Sequence, residues 1–283
     1  MTDWRDFDAV LDRCVTDGLD EDAALRDAAT EALGPLADTP AAASVVARRD
    51  LVLCGWRAVE SVYLRLTGVS VERIAPEGLR MRAGDRAGRV AGPLGSLLRG
   101  ERLALNLLCR LSGIATLTRR FVEEVAETGV EILDTRKTTP GMRSLERYAV
   151  RCGGGVNHRF DLASMAMFKD NHVAAAGGPE ALAEAVLRAR RSGVPVEIEV
   201  DSLDQLGAVL HLDPDRILLD NMPPGEVAEA VRRAAGRCYI EASGGVTAEN
   251  AALYARTGVN GISIGALTHS APAADLARDW EAP

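Results

Sequence analysis

A chain of 283 residues, 47% hydrophobic and 26% charged, has an ordinary globular composition and can bury a core in one large domain or two modest ones. Its formal net charge of −8 argues against nucleic acid or an anionic membrane as the main partner. No apolar run is long and uncharged enough to span a bilayer, and the acidic start MTDWRDFDAV lacks a signal-peptide core, so a cytoplasmic location is expected.

Residues 1–112 read as a mixed opening domain. A capped helix is predicted around Asp3–Val15, followed by an acidic, Ala-rich stretch that is helical or loose. Ala43–Val52 alternates weakly, as an edge or half-buried strand does, and Gly55–Leu66 carries apolar residues at helical spacing. Short strands follow in VSVERIA, GLRMRAG and GRVAG, each closed by Pro or Gly. A long helix from Leu97 to about Thr128 is expected to break at Ser112-Gly113, the boundary assigned to a second domain of residues 113–269. Residues 270–283 are a candidate to pack on the first domain.

Beyond that boundary the pattern becomes strand, loop, helix, repeated. The strands are VEILD (130–134), MAMF (165–168), VEIEV (196–200), RILLD (216–220), CYIEA (238–242) and GISIG (261–265), with helices over Pro179–Arg191, Pro224–Ala235 and Ala248–Thr257. Such alternation implies a parallel sheet, and nearly unbroken apolar strands imply burial on both faces. Neither a G-x-G-x-x-G fingerprint nor a phosphate-loop motif is present. A (β/α) barrel remains, and residues 113–269 fall short of the roughly 250 that a full barrel takes. The expected form is an incomplete or compact barrel, completed by the other domain or a partner subunit.

The five cysteines are widely spaced and form no C-x-x-C, which fits reduced core thiols better than a disulfide frame or a zinc site. The chain has only two lysines, Lys137 and Lys169, among its 33 basic residues. Their survival in so arginine-rich a chain implies positions that need a compact ammonium rather than a broad guanidinium fork. Both fall between Asp134 and His172, where seven basic residues outnumber four acidic ones in an otherwise acidic protein. A local cationic pocket of this kind suits a small polyanion. Arg136 and Arg159 can hold carboxylates bidentately, with His158 as a further donor. Arg147 and Arg151, at i,i+4, are better read as partners of helix-surface acids.

Each predicted barrel strand ends in a polar or special residue, where barrel active sites lie. These are Thr135-Arg136-Lys137, Lys169-Asp170-Asn171-His172, Glu199, Asp220-Asn221, Ser243-Gly244-Gly245 and Gly265. Glu197 and Glu199 share one strand face, so either can be the useful acid. Carboxylates on adjacent strands suit Mg²⁺ and sugar hydroxyls; the lesser alternative is that Lys169 pairs with one of them as a purely structural ion pair. The Ser243-Gly244-Gly245 turn, set before a possible helix N-terminus, can make an anion nest. The tri-glycine at 153–155 fits either close packing or a sharp turn.

These segments together resemble the quinolinate phosphoribosyltransferase family, also called nicotinate-nucleotide pyrophosphorylase (carboxylating). The resemblance rests on ERLALNLLCRLSGIAT (101–116), DTRKTTPGMR (134–143), RYAVRCGGGVNHR (147–159), FKDNH (168–172), VEIEVDSL (196–203), ILLDN (217–221), IEASGGV (240–246) and ISIGALTHSAPAADL (262–276). It implies an α/β fold with an N-terminal α/β sandwich and an incomplete barrel of the type II phosphoribosyltransferase kind. It further implies a homodimer in which Arg102 is donated across the interface. By the same resemblance Arg136, His158, Arg159 and Lys169 grip the two carboxylates of quinolinate, and Lys137 acts on the phosphoribosyl pyrophosphate side. Glu199 and Asp220 lie near the ribose and Mg²⁺, while Ser243, Gly244 and Gly265 bind the 5′-phosphate. The implied reaction yields nicotinate mononucleotide, pyrophosphate and CO₂ in NAD biosynthesis. The alternatives are a paralogue acting on another pyridine carboxylate or in molybdenum-related metabolism, a Schiff-base barrel enzyme using Lys169, and a non-enzymatic anion-binding protein.

Overall fold

The computed structural model describes residues 6–178 and 180–281, apart from the side chains of Asp170, Ala174 and Glu180. In chain order the α-helices are α1 (Phe7–Glu21), α2 (Ala28–Ala32), α3 (Trp56–Leu64), α4 (Leu94–Glu124), α5 (Arg143–Cys152), α6 (Asp170–Ala176), α7 (Ala183–Arg191), α8 (Leu203–Val209), α9 (Pro224–Ala234), α10 (Ala251–Ala255) and α11 (Ala266–His269). The strands are β1 (Pro40–Ala47), β2 (Leu51–Val52), β3 (Ser70–Arg73), β4 (Arg80–Met81), β5 (Arg86–Pro93), β6 (Glu131–Leu133), β7 (Ala166–Phe168), β8 (Val196–Val200), β9 (Arg216–Asp220), β10 (Tyr239–Ser243), β11 (Gly261–Ser263) and β12 (Leu276–Trp280). The predicted start of the first helix at Asp3, and Pro179 at the head of the 179–191 helix, lie outside the described residues. The chain forms two compact units: residues up to 119 with 138–154 and 267 onward, and residues 120–137 with 155–266.

The first unit is built on an antiparallel sheet in the order β12-β1-β5-β3. β1 is therefore an interior strand rather than an edge, with Ala43–Ala47 buried between β12 and β5. The weak alternation over Ala43–Val52 spans two strands, because Arg48-Arg49-Asp50 separates β1 from β2. The charged residues of β12 obscured that strand in the sequence. The buried Arg278 guanidinium holds it in place, donating to the Tyr63 hydroxyl at 2.7 Å and the Leu97 carbonyl at 2.8 Å and pairing with Glu101. α5 is more sequestered than its charge suggests. Ser144–Arg147, Ala149 and Val150 are buried, so Arg147 does not stand on a helix surface, whereas Arg151 does.

The expected break at Ser112-Gly113 does not occur: α4 is one continuous helix of 31 residues. Gly113 serves close approach instead, since a Cβ there would stand 2.1 Å from the Pro272 carbonyl oxygen. Gly153 likewise meets α4, where a Cβ would fall 2.5 Å from the Thr118 side chain. The glycine run was thus chosen in part for packing.

In the second unit six parallel strands run β6-β11-β10-β9-β8-β7. β6 also forms a one-residue parallel bridge from Leu133 to Val156. Ile132, Ile198, Ile217, Leu219, Ala242 and Ile262 are buried on one face of this sheet. The pleat sends the alternate residues to the other face. Register then aligns Met167 with Glu197, Glu197 with Arg216, Glu199 with Leu218, Asp220 with Ser243, and Ser243 with Ser263. A polar interior face is thereby assembled from strands that look apolar when read singly.

Substituting Gly113 separates two opposing effects. Alanine is intrinsically favoured over glycine in a helix interior by about 1 kcal/mol, but overpacking at this buried position costs typically 1–3 kcal/mol. Gly113→Ala should therefore lower the urea midpoint. An unchanged or raised midpoint would show that the 272–274 segment yields freely.

Candidate active site

The polar face opens into a cavity of about 380 Å³, with walls of Arg136, Lys137, His158, Arg159, Lys169, Glu199, Asp220 and Ser243. Eight of the sequence-selected residues thus meet at one place. Arg102 is exposed on α4 in the first unit, and neither it nor Gly244 or Gly265 lines this cavity. Asp134, Met167, Leu218, Glu241 and Ser263 complete the lining beyond the residues chosen from sequence. Ser263 was detectable only as a hydroxyl inside an apolar strand. Its Oγ is buried without a hydrogen-bond partner among the described residues.

The cationic wall is fixed by a buried acid. Asp134, fully buried just beyond β6, accepts from the His158 amide at 2.8 Å and from the Asn157 side-chain amide at 2.6 Å. This clamp sets the 157–159 segment beside the end of β6. Arg159 donates to the Met165 carbonyl at 3.1 Å. Burial, and then the neighbouring Arg136 guanidinium, hold Arg159 below its ordinary pKa. The buried Nε of Arg136 has no hydrogen-bond partner among the described residues. Two guanidiniums kept close in this way form a receptor for an anion.

The acidic wall comes from β8 and β9. Glu199 forms an ion pair with Lys169, and Asp220 accepts from the Asn221 side-chain amide at 2.8 Å. At the end of β10, Gly244 adopts φ +87, and a Cβ there would lie 2.2 Å from Asn221 Oδ1. Only glycine fits that turn. The helix N-terminus expected immediately after Ser243-Gly244-Gly245 is displaced, because α10 begins at Ala251 after a turn in which Asn250 accepts from the Thr247 amide. The anion-binding amides available there are those of the turn itself.

Beneath the cavity the distinction between Glu197 and Glu199 resolves. Glu199 faces the cavity, whereas Glu197 is fully buried with Oε2 3.2 Å from His158 Nε2. Glu241 approaches the same nitrogen at 3.1 Å and has Arg216 at 3.6 Å. Arg216 lies over the Tyr239 ring, whose hydroxyl donates to Glu131 at 2.7 Å. Burial by itself pulls the His158 pKa down, but the two carboxylates outweigh it and push it up to about 10. Burial also raises the Glu197 pKa. The Arg159 amide lies 2.8 Å from His158 Nδ1, an arrangement that favours a ring proton on Nε2 and the surplus proton on an acid. An imidazolium with two carboxylates and a neutral imidazole with one carboxylic acid hold the same number of protons. The cluster carries that extra proton at neutral pH.

Comparison with known proteins agrees with this architecture. The family model "Quinolinate phosphoribosyl transferase, N-terminal domain" matches residues 27–112, and that for the C-terminal domain matches residues 114–279. A nicotinate-nucleotide pyrophosphorylase (carboxylating) of Mycobacterium leprae is 44% identical, with 97% of this chain and 98% of that protein covered. The human protein of that name is 37% identical over 84% of this chain and 81% of its own length. The solved nicotinate-nucleotide pyrophosphorylase of Francisella tularensis superposes with a TM-score of 0.91 at 34% identity, covering 96% of each chain. The fold is that of a phosphoribosyl-transferring enzyme built on an incomplete α/β barrel. The chain belongs to the quinolinate phosphoribosyltransferase family.

The buried His158 cluster makes a signed prediction. A group whose folded pKa is raised contributes stability below its unfolded pKa and loses it as pH rises through the folded value. His158, at 6.5 when unperturbed and about 10 here, should therefore make the protein progressively less resistant to urea between those limits. Glu241→Gln removes one of the attracting anions and should flatten that decline. An equally steep decline in the variant would dissociate it from this cluster.

Proposed function

We propose that the protein transfers the phosphoribosyl group of phosphoribosyl pyrophosphate to the ring nitrogen of quinolinate, giving nicotinate mononucleotide, pyrophosphate and CO₂. The observation that carries this reading is the meeting of Arg136 and Arg159 with Glu199 and Asp220 in one cavity at the strand ends. The guanidiniums and Lys169 suit a dicarboxylate, with His158 lining the floor beneath them. Lys137 at the mouth suits the pyrophosphate side. Ser243, the turn amides at Gly244 and the backbone at Gly265 suit the 5′-phosphate.

In this chemistry the bond from ribose C1 to pyrophosphate breaks as the pyridine nitrogen closes on C1, and Glu199 and Asp220 favour the positive charge that develops on the sugar. The resulting pyridinium accepts the electron pair left when the 2-carboxylate departs as CO₂, and a proton replaces it on the ring. Glu199 and Asp220 offer hard carboxylate oxygens from neighbouring strands and would be the residues to hold Mg²⁺. That ion, when bound, would supply positive charge against the leaving pyrophosphate. A Schiff-base role for Lys169 is disfavoured by its ion pair, because a nucleophilic amine must be free of its proton. The enzyme acts in NAD biosynthesis, as a cytoplasmic homodimer in which Arg102 completes the partner's site. No helix among the described residues is long and apolar enough to cross a membrane.

Incubation with quinolinate, phosphoribosyl pyrophosphate and Mg²⁺ should yield nicotinate mononucleotide and CO₂ by mass spectrometry, while nicotinate in place of quinolinate yields none. Absence of product from folded protein would overturn the assignment. Arg159→Ala should raise the quinolinate KM about 10- to 100-fold, the loss expected for a charge-assisted contact. Arg102→Ala and Glu199→Gln should each be inactive, yet regain turnover when mixed and allowed to exchange subunits. Failure to recover despite proven exchange would place Arg102 outside the partner's site.

A further inference from the structure

A second chemical cluster lies inside the first unit. Cys54 follows β2 and is fully buried, while Cys152 ends α5 and is partly exposed. Their sulfurs and a Glu77 carboxylate oxygen all lie within 4.8 Å of one another. The two thiols are hydrogen-bonded, and the Tyr148 hydroxyl also bonds to Cys152. The Cys54 backbone is pinned from both sides, its amide donating to Ser112 Oγ at 3.0 Å and its carbonyl accepting from that hydroxyl at 2.9 Å. Both oxygens of Glu77 accept amides at the start of α3, from Gly55 at 2.8 Å and Trp56 at 2.6 Å. Glu77 thus serves as a helix cap, and the remaining chemistry of the cluster is that of a dithiol rather than of a cation site.

We propose that Cys54 and Cys152 form a reversible disulfide site whose oxidant is hydrogen peroxide. The thiols differ in the manner such a site needs. The hydrogen bond from Cys54 lowers the Cys152 pKa, whereas burial raises those of Cys14, Cys54, Cys109 and Cys238. Cys152, partly exposed, is the attacking sulfur. Its thiolate attacks one peroxide oxygen, forming an S–O bond as the O–O bond breaks, and the departing hydroxide takes a proton to become water. Cys54 then attacks the Cys152 sulfenic acid: the S–S bond forms, the S–O bond breaks, and the Cys54 proton leaves with hydroxide as a second water. Two thiols are oxidised and one peroxide is reduced. The link closes a loop of roughly 100 residues and ties the end of α5 to the start of α3.

Intact wild-type protein treated with stoichiometric hydrogen peroxide should lose about 2 Da, yield a peptide joining Cys54 to Cys152, and return to its original mass with dithiothreitol. Its melting temperature should rise on oxidation and fall again on reduction. Cys54→Ala should instead gain about 16 or 32 Da at Cys152, having lost the resolving thiol. Retention of all five free thiols, a link between another pair, or first oxidation at Cys14, Cys109 or Cys238 would overturn the proposal. Should Cys54→Ala fail to fold, iodoacetamide labelling of native wild type decides: Cys152 should alkylate first, and a rate no faster than the other four would count against it.

Discussion

The buried contact of His158 with Glu197 and Glu241 is the constraint on which the active-site cavity depends. Two carboxylates removed from water are costly unless a cation or proton meets them. Here one imidazole meets both, so β8, β10 and the 156–159 segment are bound through a single ring. Asp134 grips the same segment from the β6 side through the His158 amide and Asn157. The position of Arg159 in the cavity wall is therefore decided beneath it. The cluster also costs the sheet interior its chance to be filled with apolar side chains, which is stability exchanged for a polar floor.

Above that floor the charge is separated rather than paired off. The cations come from the loop after β6, from the 157–159 segment and from the end of β7; the acids come from β8 and β9. A structural salt-bridge network would match them one to one. Lys169 and Glu199 pair in that way; at Arg159, burial first and then the nearby Arg136 charge lower the pKa. Guanidiniums brought near one another by the backbone can be met together by one anion.

Much of this site was legible because strand ends carry chemistry in barrels, and the apolar runs marked those ends well. Period two also put Glu197 and Glu199 on one face, but it could not choose between them, since the choice depends on how far along the strand each lies relative to His158. The partnership of His158 with Glu241 is separated by long stretches of chain and leaves no local pattern. Ser263 and Asp134 were hidden for a similar reason: their roles arise from register with neighbouring strands. In the first unit, Gly113 and β12 misled for a different reason. A glycine required for close packing resembles a helix breaker, and a strand whose charged residues reach specific partners resembles a loop.

The two lysines illustrate how composition and geometry constrain one another. In a chain that otherwise uses arginine, Lys169 reaches Glu199 in a cavity already holding two guanidiniums. A third planar fork would add bulk and more donors where a single compact charge meets a largely buried carboxylate. Lys137 differs, being exposed at the mouth with its amide held by Thr135 Oγ1 at 3.1 Å. The pairing with Glu199 therefore bears on one lysine and not the other. At Lys137 an ammonium can turn among several oxygens of a flexible, multiply charged ligand, whereas a guanidinium favours one bidentate orientation. The lysine preference then has two physical origins, a single compact charge to meet Glu199 and adaptability at the entrance.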